Sequence, residues 1–475
     1  MKFKTRFVRS AAMAGAAAVA AIAIAPAGAA PASAPAFLAG AAKVEITPKG
    51  AALPAGNTVR DPLFVRAIFL KSGRDCAILA SVDKALVATA TVDAARARLK
   101  QCPGDNIVIS ATHTHSGADL PAGWMDPAAS KLLEDAIVQA AEEAAGKARK
   151  ARMGFVTTSL DLNINRDAFD GRHWFQGNNP DGVSDKTMTV TYFVGEDDMP
   201  IALMMNYGMH PINYHLSGIV SADFPGEASR YVERRYDGAV ALFTQAASGD
   251  QNPRLSLPLG KLMGPRLHVD QKDAVRAPTF WDLAAEDVRV RPGQKASPAP
   301  AEADWDDKRR KAVAEVGEIV TAMGAIMGET AIDAMRDPAV PLVADPGLWA
   351  GSATVTCPGR DRIDTLRREG MDPGYKDGAA VNIKVGLLRI GDVALVGVDS
   401  EIYTEIVQEM KKRSPLTQTA VIGLAGGLAN SGYIYSDNAA HHLTFQVIGS
   451  RLQPGCAEDR IVDAAVGLVS QSGRR

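Results

Sequence analysis

Only eight histidines occur in the 475 residues of this chain. His113 and His115 lie in Ser110-Ala-Thr-His-Thr-His-Ser-Gly117, directly after an apolar run, where an extended i, i+2 pair points both imidazoles to one side. Neutral imidazole ligates metals and exchanges protons near neutral pH, so His-x-His at the end of a strand suits a metal ligand beside a proton shuttle. The dipeptide pattern alone is equally compatible with ordinary polar loop histidines. A second group, Asn206-Tyr-Gly-Met-His-Pro211, also follows an apolar run, with His215 and Asp223 soon after. Pro211 biases His210 toward extended geometry and fixes the turn.

Three further segments carry chemistry. Ala247-Ser-Gly-Asp-Gln-Asn-Pro253 places Asp250 where it can orient an imidazole or cap a helix. In Val398-Asp-Ser-Glu-Ile-Tyr-Thr-Glu405, Glu401 is expected to open a helix just past a strand, as an oxygen ligand or as a residue favoured by the helix dipole. Asn430-Ser-Gly-Tyr-Ile-Tyr435 follows, with His441 and His442 downstream. GxSxG, HExxH, Walker A and post-strand GxGxxG motifs are all missing, which removes the usual handles for serine α/β-hydrolases, zincins, nucleotide hydrolases and Rossmann oxidoreductases.

These loops need a scaffold, and from about Ala41 short apolar runs alternate with helical patterns, an α/β layered architecture with α+β as the variant. Strands are expected at Leu63–Leu70 and Cys76–Val82 across the turn Ser72-Gly73-Arg74-Asp75. More follow at Ile107–Ser110, Thr187–Val194, Ile201–Tyr207, Ala239–Thr244, Val381–Ile390, Val393–Val398 and Ala420–Ala425. Leu133, Ile137, Ala140, Ala141 and Ala144 share one helical face that ends near Gly146, and helices are expected from about Trp305 to Met327 and over Asp459–Val469. Residues 254–304 form a proline-rich excursion, read as a lid over a site or as a plain linker. Ligands in such sheets gather beyond the carboxyl ends of strands, where both histidine loops fall.

Lys2, Lys4, Arg6 and Arg9, the apolar run Ala11–Ala25 and Ala27-Gly28-Ala29 read as a signal peptide over residues 1–29. Its run is shorter than the roughly 20 residues a bilayer demands, and no later segment is longer, so an exported periplasmic or secreted protein without a membrane span is expected. Export meets oxidising conditions, where Cys76, Cys102, Cys357 and Cys456 allow up to two bridges in three connectivities; scattered core cysteines with at most one disulfide are expected. The chain is 47% hydrophobic and 22% charged, enough for a sizeable core. A formal charge of -2, about -6 without the leader, offers no basic footing for nucleic acid.

Taken in order, the motifs resemble the neutral/alkaline (non-lysosomal) ceramidase family, specifically its amino-terminal catalytic domain, over 37–475. The resemblance runs through Gly40-Ala-Ala-Lys-Val-Glu-Ile-Thr-Pro48, Asp61-Pro-Leu-Phe-Val-Arg-Ala67, the His-Thr-His loop, Asn163-Ile-Asn-Arg166, His210-Pro211, Ser221-Ala-Asp-Phe-Pro-Gly226 and Gly249-Asp250. It implies a catalytic zinc on His113, His210, Glu401 and Tyr433. It also implies substrate and proton handling by His115, and Arg166 near the substrate's polar head. Two positions depart from the family pattern: Asn252 stands in a serine place, and Phe445 stands where the family has a tyrosine. The implied activity is zinc-dependent hydrolysis of an N-acyl amide, a ceramide-like lipid being the family substrate; in this chain zinc, Arg166 and the Asn252 amide are then expected to stabilise the oxyanion. The departures keep open a zinc hydrolase of another small amide or ester, and a binding protein with a degenerate site.

Overall fold

Alternation along single strands assigns the layers. In the strand Asp75–Val82, Cys76, Ile78, Ala80 and Val82 face a helical layer, while Ala77 and Leu79 enter a different apolar cluster. In Pro200–Tyr207, Leu203, Met205 and Tyr207 likewise face helices, and Ala202 and Met204 join Ala77 and Leu79. In Val393–Val398, Val393 and Leu395 reach that shared cluster, whereas Ala394, Val396 and Val398 face helices on the far side. A period of 2 thus buries both faces of each strand, and two sheets pack face to face with helices outside each: a four-layer mixed α/β structure.

The computed structural model describes residues 36–53, 57–118, 127–215, 217–256, 268–269, 296–297, 305–364 and 369–473. The expected leader and most of the proline-rich excursion lie outside these residues. The larger sheet has eight strands in the order Val240–Gln245, Pro200–Tyr207, Thr187–Gly195, Arg149–Ser159, Leu38–Glu45, Phe64–Ser72, Asp75–Val82, Ile107–Ala111. Its two outer pairs are parallel and the pairs between are antiparallel. The second sheet orders Leu348–Arg362, Tyr375–Ile390, Val393–Val398 and Gln418–Ile422, with the last pair parallel.

The expected hairpin closes at Ser72↔Asp75, with Gly73 supplying the positive φ of 58° that such tight turns require. The helix Pro127–Gly146 buries Ile137, Ala140, Ala141 and Ala144 as its spacing foretold. The helix begun at Trp305 continues to Met335, burying Met323, Met327, Ala331 and Ile332. The expected strand over Ala420–Ala425 stops at Ile422, because Leu424 turns the backbone at φ 54°.

Two expectations need correction. Both cysteine pairs are disulfides, Cys76–Cys102 and Cys357–Cys456, because the fold brings their Cα atoms to 5.5 and 5.8 Å, within bridging range. Glu401 does not open a helix: Glu401–Ile402 is a short parallel strand beside Tyr433–Ile434, and the helix starts at Thr404. Backbone groups of Ile402 and Tyr403 are taken by Gly249 and Ile434, which delays the helix.

Candidate metal centre

Four of the candidate segments leave the carboxyl ends of parallel strands. His113 and His115 follow Ile107–Ala111, His210 follows Pro200–Tyr207, the turn Gly249–Gln251 follows Val240–Gln245, and Glu401 follows Val393–Val398. Loops from both sheets therefore meet at one end of the sandwich.

The meeting is close. His113 Nε2 lies 3.0 Å from His210 Nε2 and 3.2 Å from Glu401 Oε2, and His210 Nε2 lies 2.9 Å from the same carboxylate oxygen. His115 Nε2 is 3.3 Å from His113 Nε2, and the three histidines offer nitrogens within 4.8 Å of one another. The side chains of His113 and His210 are 2% and 1% exposed, so water does not separate these atoms. His113 is also held at φ 70°, a conformation that a β-carbon disfavours and that persists only where surrounding contacts impose it.

Tautomers follow from the outer partners. His113 Nδ1 sits 2.7 Å from the carbonyl of Ala85, and His210 Nδ1 sits 3.0 Å from the carbonyl of Gln251. A carbonyl only accepts, so both Nδ1 atoms carry hydrogens, and the neutral rings turn two Nε2 lone pairs toward each other and toward a carboxylate. Three acceptors at this spacing repel unless a cation lies among them: a proton or a metal ion. Histidine ligands commonly give their other N–H to a backbone carbonyl, so this donor set fits a metal.

Electrostatics agree. Burial, aided by Arg166, pushes His210 down to about 3, against the opposing pull of Glu401. Burial first, then His113, His215 and His210, hold His115 well below the ordinary imidazole range. Burial opposes ionisation of Glu401, but His113 and His210 outweigh it and hold its carboxyl well below the usual range.

Tyr433 pairs in register with Glu401, and the Arg166 guanidinium stands over its ring, 5.5 Å from the centroid. Arg166 is fully buried, donates from Nε and Nη2 to the Gly249 carbonyl at 3.0 and 2.6 Å, and from Nη1 to Asn252 Oδ1 at 3.4 Å. Its planar fork therefore joins the turn to Asn252 beneath the Tyr433 ring. The Phe445 ring stands edge-on to Tyr433 at 6.2 Å.

Other sequence candidates fall elsewhere. His442 stacks on Trp174 at 3.8 Å and bonds buried Asp167, which also accepts from Tyr403 and Gln446. Asp223 is buried at φ 54° and accepts from Asn213 and Phe224. His215, which the sequence placed only near the second motif, packs its ring 4.9 Å from His115. The carbonyls of Ala85 and Gln251 carry no sequence signal, since every residue has one.

No family model matches the chain. Among curated proteins, neutral ceramidase A of Dictyostelium discoideum is 30% identical over 176 residues, covering 31% of this chain and 24% of that protein, so about a quarter of that relative is spanned. A solved ceramidase complexed with C2 superposes with a TM-score of 0.66 at 16% identity, covering 92% of this chain and 76% of that one. Neutral ceramidase from Pseudomonas aeruginosa superposes with a TM-score of 0.63 at 16% identity, covering 92% and 75%. The structure is thus a ceramidase-type α/β fold whose buried histidine group could hold a metal ion. In fold the chain is similar to these solved ceramidases, and over the matching stretch its sequence is similar to neutral ceramidase A.

Proposed function

We propose that this chain is an exported zinc-dependent hydrolase of N-acyl amides, with residues 37–475 as its catalytic domain and ceramide-like lipids as the substrate class. The observation that carries this reading is the convergence of His113 Nε2, His210 Nε2 and Glu401 Oε2, with both Nδ1 atoms tied to backbone carbonyls. Tyr433, paired in register with Glu401, is the fourth ligand in this proposal. A zinc ion held there supplies Lewis acidity and makes water nucleophilic near neutral pH.

The chain's own residues do the remainder. His115, uncharged beside the three acceptors, takes a proton from the attacking water and returns it to the departing amine as the C–N bond breaks. Asn252 turns Oδ1 to Arg166, which leaves its amide N–H groups to donate to the oxyanion. Arg166 orients Asn252 and Tyr433 together. A water nucleophile does not require the family serine. The two disulfides suit the oxidising compartment that export implies, and among the described residues no helix is long and apolar enough to cross a membrane.

A second reading, hydrolysis of a different small amide or ester, is favoured by Asn252 and Phe445. Metal analysis of the purified protein, paired with assays on an N-acyl sphingoid base and a panel of short N-acyl amides and esters, separates the readings. One zinc per chain with lipid amide cleavage is the expected result. Cleavage confined to the short panel selects the second reading, zinc without any turnover leaves a binding protein, and absence of bound metal sinks the proposal.

A further inference from the structure

The turn Gly249–Gln251 bonds the segments that carry His210 and Glu401, and it also holds Arg166. The Gly249 carbonyl accepts twice from Arg166, whose guanidinium stands over the Tyr433 ring at 5.5 Å, and the Gly249 N–H donates to Ile402, next to Glu401, at 3.0 Å. The Asp250 carboxylate accepts from Thr404 N at 3.0 Å and Thr404 Oγ1 at 2.7 Å, three residues past Glu401. The Gln251 carbonyl accepts from both the N–H and Nδ1 of His210, and its side-chain amide donates to Thr404 Oγ1 at 2.9 Å.

A β-carbon at position 249 would sit 2.9 Å from the Tyr403 ring and 3.0 Å from the Ile402 carbonyl, so only glycine allows the turn to lie this close. Asp250 is 2% exposed and its second oxygen accepts from Asn165 at 3.3 Å. A buried carboxylate bonded this fully is rigid, because moving it would strand donors away from water.

We infer that this turn sets the distance between His210 and Glu401, and that Asp250 with Thr404 is the positioning pair that does so. A chain of two bonds links them: Gln251 fixes the imidazole, and the neighbouring Asp250 fixes the start of the helix behind the carboxylate. Neither residue reaches the ligand atoms themselves. This inference rests on the metal reading above. An ordinary helix cap at Thr404 would affect stability alone, so metal affinity distinguishes the two roles.

The test is zinc affinity of the purified full chain, measured by chelator competition alongside the melting temperature. Thr404→Val keeps the shape and removes the hydroxyl; its zinc affinity falls about 10- to 100-fold, as for lost outer partners of ligands elsewhere. Thr404→Ser restores wild-type affinity. Asp250→Ala falls at least as far, and combining it with Thr404→Val adds little, because the pair acts as one unit. Val462→Ala, a cavity in the core of the helix Ala457–Ser472, lowers the melting temperature with zinc affinity unchanged. Folded Thr404→Val that binds zinc like the wild type overturns the inference, as does an equal affinity loss in Val462→Ala. If Thr404→Val fails to fold, Asp250→Asn, which keeps one accepting oxygen, decides in its place: a several-fold fall supports the inference and none overturns it. A wild-type chain that binds no zinc fails the metal reading instead.

Discussion

Two groups of histidines can be set side by side. In one, His113, His115 and His210 are packed nitrogen to nitrogen in the interior. In the other, His441 and His442 sit at the surface with Trp174, and His442 gives Nδ1 to Asp167 at 3.0 Å while its ring stacks on the indole. Both contain a histidine whose Nδ1 is anchored, yet the anchors differ. A carboxylate anchor supplies the charge that its imidazole prefers, and the ring then packs like any aromatic. A carbonyl anchor fixes the tautomer without supplying charge, so two such rings aimed at each other need a cation between them. The anchoring atom, more than the histidine count, marks the candidate metal centre.

The largest expected break is removal of a converging nitrogen. His113→Ala or His210→Ala should lose bound zinc to background and lower any hydrolysis by more than the roughly 100-fold that an outer partner costs. His442→Ala should keep one zinc per chain. Metal analysis after gel filtration checks both, and retained zinc in either buried variant would end the assignment.

A smaller effect concerns acid. His210 is pushed down to about 3 and His215 to about 4, burial being the leading cause for each, whereas the unfolded chain titrates near 6.5. Between those values the unfolded chain binds more protons, so stability of the chelator-treated protein is lost as pH falls from about 6.5 toward 4. His210→Asn should flatten the slope of unfolding free energy by about 1.4 kcal/mol per pH unit in that window. Urea unfolding at several pH values measures it, and an unchanged slope would place the proton uptake elsewhere.

The smallest effect belongs to the surface group. His442→Ala removes one bond to Asp167 and the stack on Trp174, and Tyr403 and Gln446 still satisfy the carboxylate. A loss of about 1–2 kcal/mol in unfolding free energy with unchanged zinc content is expected. A loss of zinc here would erase the contrast between the two groups.

Much of the scaffold was legible. Strands with strong apolar alternation, such as Phe64–Ser72, Asp75–Val82 and Val393–Val398, lie within one or two residues of expectation. Leu38–Glu45 escaped notice because Leu-Ala-Gly-Ala-Ala has little strand propensity; its two neighbours in the sheet hold it extended. Arg149–Ser159 opens on charged residues and hides its alternation until Met153 and Phe155 are buried. Glu401 was found as a carboxylate after a strand, but its pairing with Tyr433 depends on two loops whose meeting no local pattern describes.

The residues by themselves determined the inventory: which imidazoles, carboxylate and phenol exist, that each follows an apolar run, and that asparagine and phenylalanine occupy two telling places. Tertiary structure decided convergence. His113 and His210 are 97 positions apart, and Glu401 is 191 beyond His210. Their approach to about 3 Å is imposed by strand ends from two packed sheets, by carbonyls that lock the tautomers, and by a turn of three residues that clasps both segments. Short-range propensity acts over a few residues, whereas register and packing act across the whole sandwich. The candidate metal centre is therefore written in the sequence as parts and assembled by the fold.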